Sequence, residues 1–205
     1  MTPDATLSDK MTPEARRTRA LILDVAERHF KRYGYAKTTI VDIASDCAMS
    51  HANVYRFFRN KADLADAVAS VWLEKIVAVG NAFVATEGSA RHRLTALVIE
   101  LYRVKKREML RTRRVHELLS MAETNGRRSI EEYYRHMNAM LVRIIDDGKR
   151  SGEFANADSE KTAGLIRSAL VKFFHPLLLE QFADHDLEPA LQSLMELIVT
   201  GLARR

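Results

Sequence analysis

Between Thr38 and Asp63 the apolar positions keep helical spacing in two short blocks. Ile40, Ile43, Ala44 and Cys47 follow the i, i+3, i+4, i+7 order of one helix face. Thr39 reads as the N-cap, with Asp42 completing a capping box. Ala48-Met49-Ser50 breaks the pattern, and Ser50 is placed to cap a second helix whose apolar face is Val54, Phe57 and Phe58. Two short helices around a tight turn predict a helix-turn-helix, a unit that lays its second helix in the major groove of DNA.

The same spacing continues along the rest of the chain. Thr12-Pro13 opens a helix with Ile22, Val25, Ala26, His29, Phe30 and Tyr33 inward and Gly34 as its stop. Asn60 caps a long helix through Leu64, Val68, Val71, Trp72, Ile76, Val79 and Phe83, ending near Asn81. Helices follow from Ala90, around Val115–Ala122, from Ser129 to the Gly148–Gly152 region, from Asp158 through Phe182, and from Asp186 to the C-terminus. Pro176 should kink the one it lies in. No strand or hairpin pattern appears, so the expected fold is all-α with about nine helices. A tail at 1–12, a helix-turn-helix domain at 13–60 and a helical body at 61–205 are the expected divisions.

The face of the second motif helix opposite Val54 carries Ala52 and Arg56, flanked by His51, Asn53 and Tyr55. A small residue allows close backbone approach, an amide can read adenine, and a guanidinium suits phosphate. No carboxylate occurs between Ser50 and Lys61 to repel a polyanion.

Charge sharpens this picture. The 205 residues carry a net +5; residues 1–61 hold 11 Lys+Arg against 7 Asp+Glu, and the remainder 21 against 20. The excess sits with the helix-turn-helix, where a polyanionic partner is expected. Arg16, Arg17 and Arg19 are either a solvated helix face or an N-terminal phosphate contact. Arg103–Arg114 holds seven basic residues and reads as a solvated bend between helices or a nucleic-acid patch. The single cysteine, Cys47, excludes an internal disulfide and reads as a buried thiol. The first 17 residues lack an apolar signal core and no run of 18 apolar residues occurs, so a cytoplasmic protein without a membrane partner is expected.

The segment Thr38-Thr39, Ile43-Ala44, Ser50, Ala52, Tyr55, Phe58, Lys61 and Leu64 resembles the TetR family of bacterial transcriptional regulators, and with the preceding helix the match runs over about residues 14–68. One departure is Ala48, where family members usually have Gly. The resemblance implies an N-terminal three-helix DNA-binding domain and a C-terminal helical domain for effector binding and dimerisation. By it, Thr38, Thr39 and Lys61 would contact the phosphate backbone, Tyr55 and Arg56 would contact phosphate or adjacent bases, and Ser50, His51, Ala52 and Asn53 would face base edges. It implies a ligand-binding repressor: a homodimer on a palindromic operator in double-stranded DNA, released by a small-molecule effector.

Candidate effector residues are Trp72, Tyr102, His116, Met121, Tyr134, Met137, Phe173, Phe174 and His175, each with a plain core alternative. Surplus apolar positions in the last two helices, Phe174, Leu178, Leu194 and Ile198, are candidates for the dimer interface. The seven histidines show no metal-ligand spacing beyond the weak Glu132/His136 pair, and no phosphate loop, nucleophile elbow or HExxH occurs. No metal, cofactor or catalytic residue is expected. A head of the same type regulated by a protein partner or acting as an activator, and an all-α enzyme or scaffold, remain the alternatives.

Overall fold

The computed structural model describes residues 11–111, 113–124 and 127–203, without the side chains of 109–111, 113, 115, 116, 123 and 124. The expected tail at 1–12 lies almost wholly outside these residues. Among the described residues the fold is all-helical: α1 (Pro13–Lys37), α2 (Ile40–Asp46), α3 (His51–Tyr55), α4 (Lys61–Val84), α5 (Ala90–Arg111), α6 (Arg113–Thr124), α7 (Arg128–Ser151), α8 (Ser159–Ala169), α9 (Val171–Phe174), α10 (Pro176–Gln181) and α11 (Glu188–Leu202). The nearest approach to a strand is an isolated bridge between Phe154 and Ala203.

The helix starts follow their caps. Thr12, Thr39, Ser50, Asn60 and Asp158 each accept the N–H three residues on, satisfying one of the free donors of a first turn. The expected Asp186 cap is displaced by one: Leu187 holds the cap position, and Asp186 Oδ1 accepts from the Glu188 N–H at 3.3 Å. Gly34 stops the first helical run of α1, as expected. Its backbone (φ 81°, ψ 165°) kinks the chain, and Tyr35–Lys37 add a further turn. Tyr33, expected inward, is 42% exposed.

Among the described residues eleven helices stand where about nine were expected, because the span from Asp158 to Phe182 is three pieces. Leu170 caps α8 while still right-handed (φ −88°, ψ −1°), its N–H shared by the Ile166 and Arg167 carbonyls, and His175 is extended (φ −70°, ψ 127°). Pro176 explains the second break: its ring disfavours a helical residue before it and it brings no N–H.

Two cores are built on these helices. One gathers Ile22, Val25, Ala26 and Phe30 of α1 with Ile43, Val54 and Phe58, and also Leu64, Ala65 and Val68 from α4 and Leu118 from α6. The other fills the body among α4, α5, α7, α8 and the C-terminal helices. α4 therefore runs through both. By length and composition it is apolar enough to cross a bilayer, which the sequence reading missed; here Leu64, Val68, Leu73, Ile76 and Val84 are buried against protein.

The basic stretch Arg103–Arg114 runs through the end of α5 to Arg111 and into α6 from Arg113. Its first three cations are stapled to the C-terminal segment. Arg103 pairs with Glu188 at 2.5 Å, Lys105 Nζ donates to the Phe174 carbonyl at 3.1 Å, and Lys106 Nζ donates to that of His185 at 3.2 Å.

Candidate nucleic-acid interface and body cavity

α2 and α3 are short, so their placement depends on the turns around them. The turn passes through Ala48 at φ 53°, the one non-glycine with positive φ among the described residues. A left-handed residue with a Cβ costs about 1–2 kcal/mol. The turn is tied by Ala48 N–H to the Ser45 carbonyl at 2.9 Å and Met49 N–H to that of Ala44 at 3.0 Å. Below it, Val54 and Phe58 are buried and fix α3 to α1 and α4. Burial, with Asp46 alongside, pushes the Cys47 thiol up, consistent with a packed and unreactive sulfur.

With α3 held from one side, its other side faces solvent. Ser50, His51, Ala52, Tyr55 and Arg56 are exposed, with Tyr55 at 48%. The His51 and Tyr55 rings meet edge-on with centroids 6.3 Å apart. Arg56 has no ion pair or hydrogen bond among the described residues. Asn53 is half-buried instead, with Nδ2 turned toward Met49 Sδ at 3.8 Å. Exposed Val41 of α2, at 62%, lies outside the residues that the sequence picked out.

Three other expected contact residues have work inside the protein. Thr39 Oγ1 donates to Asp42 Oδ2 at 2.6 Å while accepting the Asp42 N–H, so the hydroxyl caps α2 but the carboxylate takes that hydroxyl rather than the Thr39 N–H of the expected capping box. Thr38 is 1% exposed, and its hydroxyl donates to the Gly34 carbonyl at 2.8 Å. Burial takes this side chain out of reach of phosphate. Lys61 Nζ donates to the Tyr35 and Thr38 carbonyls, both at 2.9 Å, and lies 4.3 Å from the centroid of the Tyr35 ring. The ammonium thus clamps the α1–α2 connection to the start of α4, with two of its three donors engaged. His29 supports the same corner, its Nε2 lying 2.7 Å from Asp46 Oδ2.

In the body, a small cavity of about 60 Å³ lies among α5, α7, α8 and α9. Its walls include Leu97, Leu101, Met137, Leu141, Leu170 and Phe174. Of the effector candidates, Tyr134, Met137 and Phe174 line it. The others do not. Trp72 sits between α1 and α4, its indole N–H donating to Glu27 Oε1 at 2.8 Å. Burial pushes the Glu27 carboxyl up, but the Lys31 and Trp72 hydrogen bonds outweigh it and hold the group below the ordinary range. Tyr102 and Phe173 pack edge to face inside the core, centroids 6.4 Å apart. Met121 packs against the head core. His175 is half-buried at the break before Pro176, and the His116 side chain lies outside the described residues. His136 Nδ1 contacts the Glu132 carbonyl at 2.8 Å, a contact within α7.

Sequence reasoning missed Arg167 on the cavity wall. The available signal was a cation set among Ala163 and Ile166, inward positions of α8, and Leu170 just beyond it. The expected dimer residues Phe174, Leu178, Leu194 and Ile198 are half-buried, and Phe174, Leu194 and Ile198 pack on their own core or cavity. The apolar side chains that project are Leu165 (63% exposed), Val171 (48%), Leu177 (53%) and Leu197 (72%), one from each of α8 to α11.

Comparison with known proteins bears on both parts of the chain. Residues 22–68 match the profile of bacterial regulatory proteins, tetR family. Residues 90–195 match that of the tetracyclin repressor-like C-terminal domain. The HTH-type transcriptional regulator TtgR of Pseudomonas putida is 29% identical over 181 residues, covering 77% of this chain and 82% of its own. Among solved structures, the fatty acid degradation regulator FadR of Bacillus halodurans superposes with a TM-score of 0.66 at 18% identity, covering 96% of this chain and 100% of its own. SmeT, the repressor of the Stenotrophomonas maltophilia multidrug efflux pump SmeDEF, gives 0.66 at 18% identity, over 91% and 90%. At such identities these two likenesses establish the fold.

Proposed function

The chain belongs to the tetR family of bacterial regulatory proteins, and from that premise we propose that this DNA-binding regulator is a homodimeric repressor. Each protomer would present α3 to one half of a palindromic operator, and a small molecule in the body cavity would lower operator affinity. The observation that carries the DNA half of this reading is the exposed face of α3. It offers His51, Ala52, Tyr55 and Arg56 on a helix held from behind by Val54 and Phe58, with no carboxylate from Ser50 to Lys61. Tyr55 and Arg56 are assigned to phosphate or adjacent bases, Ser50, His51 and Ala52 to the groove, and Asn53 to a base. Thr38 and Lys61 are assigned to positioning α2 and α4.

The projecting Leu165, Val171, Leu177 and Leu197 support a dimer built on the C-terminal helices, where they would be buried by their counterparts. Such a regulator works in the cytoplasm, and no enzymatic step is needed. The test is gel mobility shift with DNA from upstream of its own gene. Wild type should bind, and Tyr55→Ala should weaken binding at least tenfold; equal binding by the variant would remove α3 from the interface. Solution mass should give a dimer, and Leu165→Glu with Leu197→Glu a monomer. A wild-type monomer at micromolar concentration would contradict the proposal.

A further inference from the structure

The body cavity has an uneven chemistry. Leu97, Val98, Leu101, Met137, Leu141, Leu170 and Phe174 make it almost wholly apolar, and Arg167 is the one charged residue on its wall. Arg167 also borders an adjoining polar groove with Glu131, Arg135, Asn138 and Glu160. Its Nε is buried without a hydrogen-bond partner, and the side chain has no ion pair among the described residues. The guanidinium carbon lies 5.7 Å from the centroid of the Tyr134 ring, its one defined contact. Neither groove carboxylate pairs with it, and Glu160 Oε2 instead accepts from Asn138 Nδ2 at 2.6 Å. A second cation stands nearby. Lys105 Nζ lies 4.7 Å from the Tyr133 ring centroid and 5.7 Å from that of Phe174, both wall residues.

A buried guanidinium donor left unmatched beside an apolar cavity calls for an acceptor of opposite charge. We infer that the effector is an amphipathic organic anion, its apolar part among Leu97, Leu101, Met137 and Leu141 and its anionic head on Arg167. This rests on the effector-cavity reading above. A benzene-sized guest needs roughly 150 Å³, so the ligand must enlarge a cavity of about 60 Å³. The wall able to move is α9, a four-residue helix between the breaks at Leu170 and His175, which contributes Phe174.

The test uses the full chain and three probes of one chain length: octanoate, 1-octanol and octylammonium. Calorimetry should show octanoate binding about tenfold or more tighter than octanol, the worth of one charge-assisted hydrogen bond, with octylammonium weakest. Arg167→Gln should abolish the preference for the acid while octanol binding persists. If octanol equals octanoate in the wild type, or octylammonium binds best, the anion inference is overturned and the cavity reading stands. If Arg167→Gln keeps the preference, Arg167 is not the head site and the inference is likewise overturned. If no probe binds at millimolar concentration, the inference is overturned. Operator affinity is measured alongside by fluorescence anisotropy. Tight octanoate binding with unchanged operator affinity would sink the effector reading while the ligand class survives.

Discussion

Replacing Lys61 with Met separates two roles that one lysine at a helix start could have. The substitution keeps the aliphatic stem and deletes the ammonium that holds the Tyr35 and Thr38 carbonyls, both at 2.9 Å. Charge-assisted hydrogen bonds contribute about 1.5–3 kcal/mol each when dry. Lys61 is half-buried, so water replaces part of what is lost, and ~2 kcal/mol for the pair is the expected cost. Urea denaturation of wild type and variant reads that number directly. DNA binding supplies the contrast. Each phosphate contact adds about 0.9 to the slope of log K against log salt, so a dimer losing one contact per protomer loses about 1.8. Lys61→Met should weaken operator binding through a displaced α2 yet leave the slope within about 0.5 of wild type. Arg56→Met, which deletes an exposed and unengaged guanidinium, should lower the slope by about 1.8 with little change in stability. A Lys61→Met variant as stable as wild type whose slope falls by the full amount would refute the clamp and restore Lys61 as a phosphate ligand.

Ala48→Gly should stabilise the head: relief of about 1–2 kcal/mol of left-handed strain is offset by about 0.5–1 kcal/mol of added unfolded-state freedom, leaving a small net gain in urea denaturation. Gly148→Ala should destabilise by about 1–3 kcal/mol, because the new Cβ would lie 2.3 Å from Phe154 Cδ2 and 2.8 Å from Ala90 Cβ. Gly80→Ala presses mainly on the flexible end of Met140, Sδ at 2.6 Å and Cε at 3.1 Å, with Leu97 Cδ1 at 3.4 Å, and should be neutral or stabilising by up to about 1 kcal/mol; equal losses at both sites would contradict this packing. Burial pushes the Glu153 carboxyl up, but the Ala90 and Arg91 N–H groups and the Ser151 and Ser89 hydroxyls hold it below its ordinary 4.5. Its contribution is therefore present at neutral pH and fades as pH falls through the folded value. Glu153→Gln should flatten the acid limb of a stability–pH curve, and an unchanged limb would exclude Glu153 as the α5 cap.

The helix-turn-helix was legible because its determinants are local. Thr39 and Ser50 cap within three residues, and the apolar stripe of α2 needs no distant partner to be read. Burial of Thr38 and the engagement of Lys61 were not legible. They depend on where Gly34 turns the chain and on contacts 23 and 26 residues apart. The body shows the same limit. Spacing marks Phe173 and Phe174 equally as apolar, but only packing against Tyr102 and Lys105 decides that one is core and the other faces the cavity. Arg167 was hidden for a related reason, since a cation beside inward positions of α8 looks like an ordinary solvated residue until the cavity beside it is seen.

Selection of bound sequences from a random duplex library reads the operator itself. An inverted repeat whose half-sites are spaced about one or two helical turns apart should be enriched, and lost when Tyr55→Ala replaces the wild type. No enrichment, enrichment of an unrepeated site, or the same repeat selected equally well by the variant would contradict the proposed function.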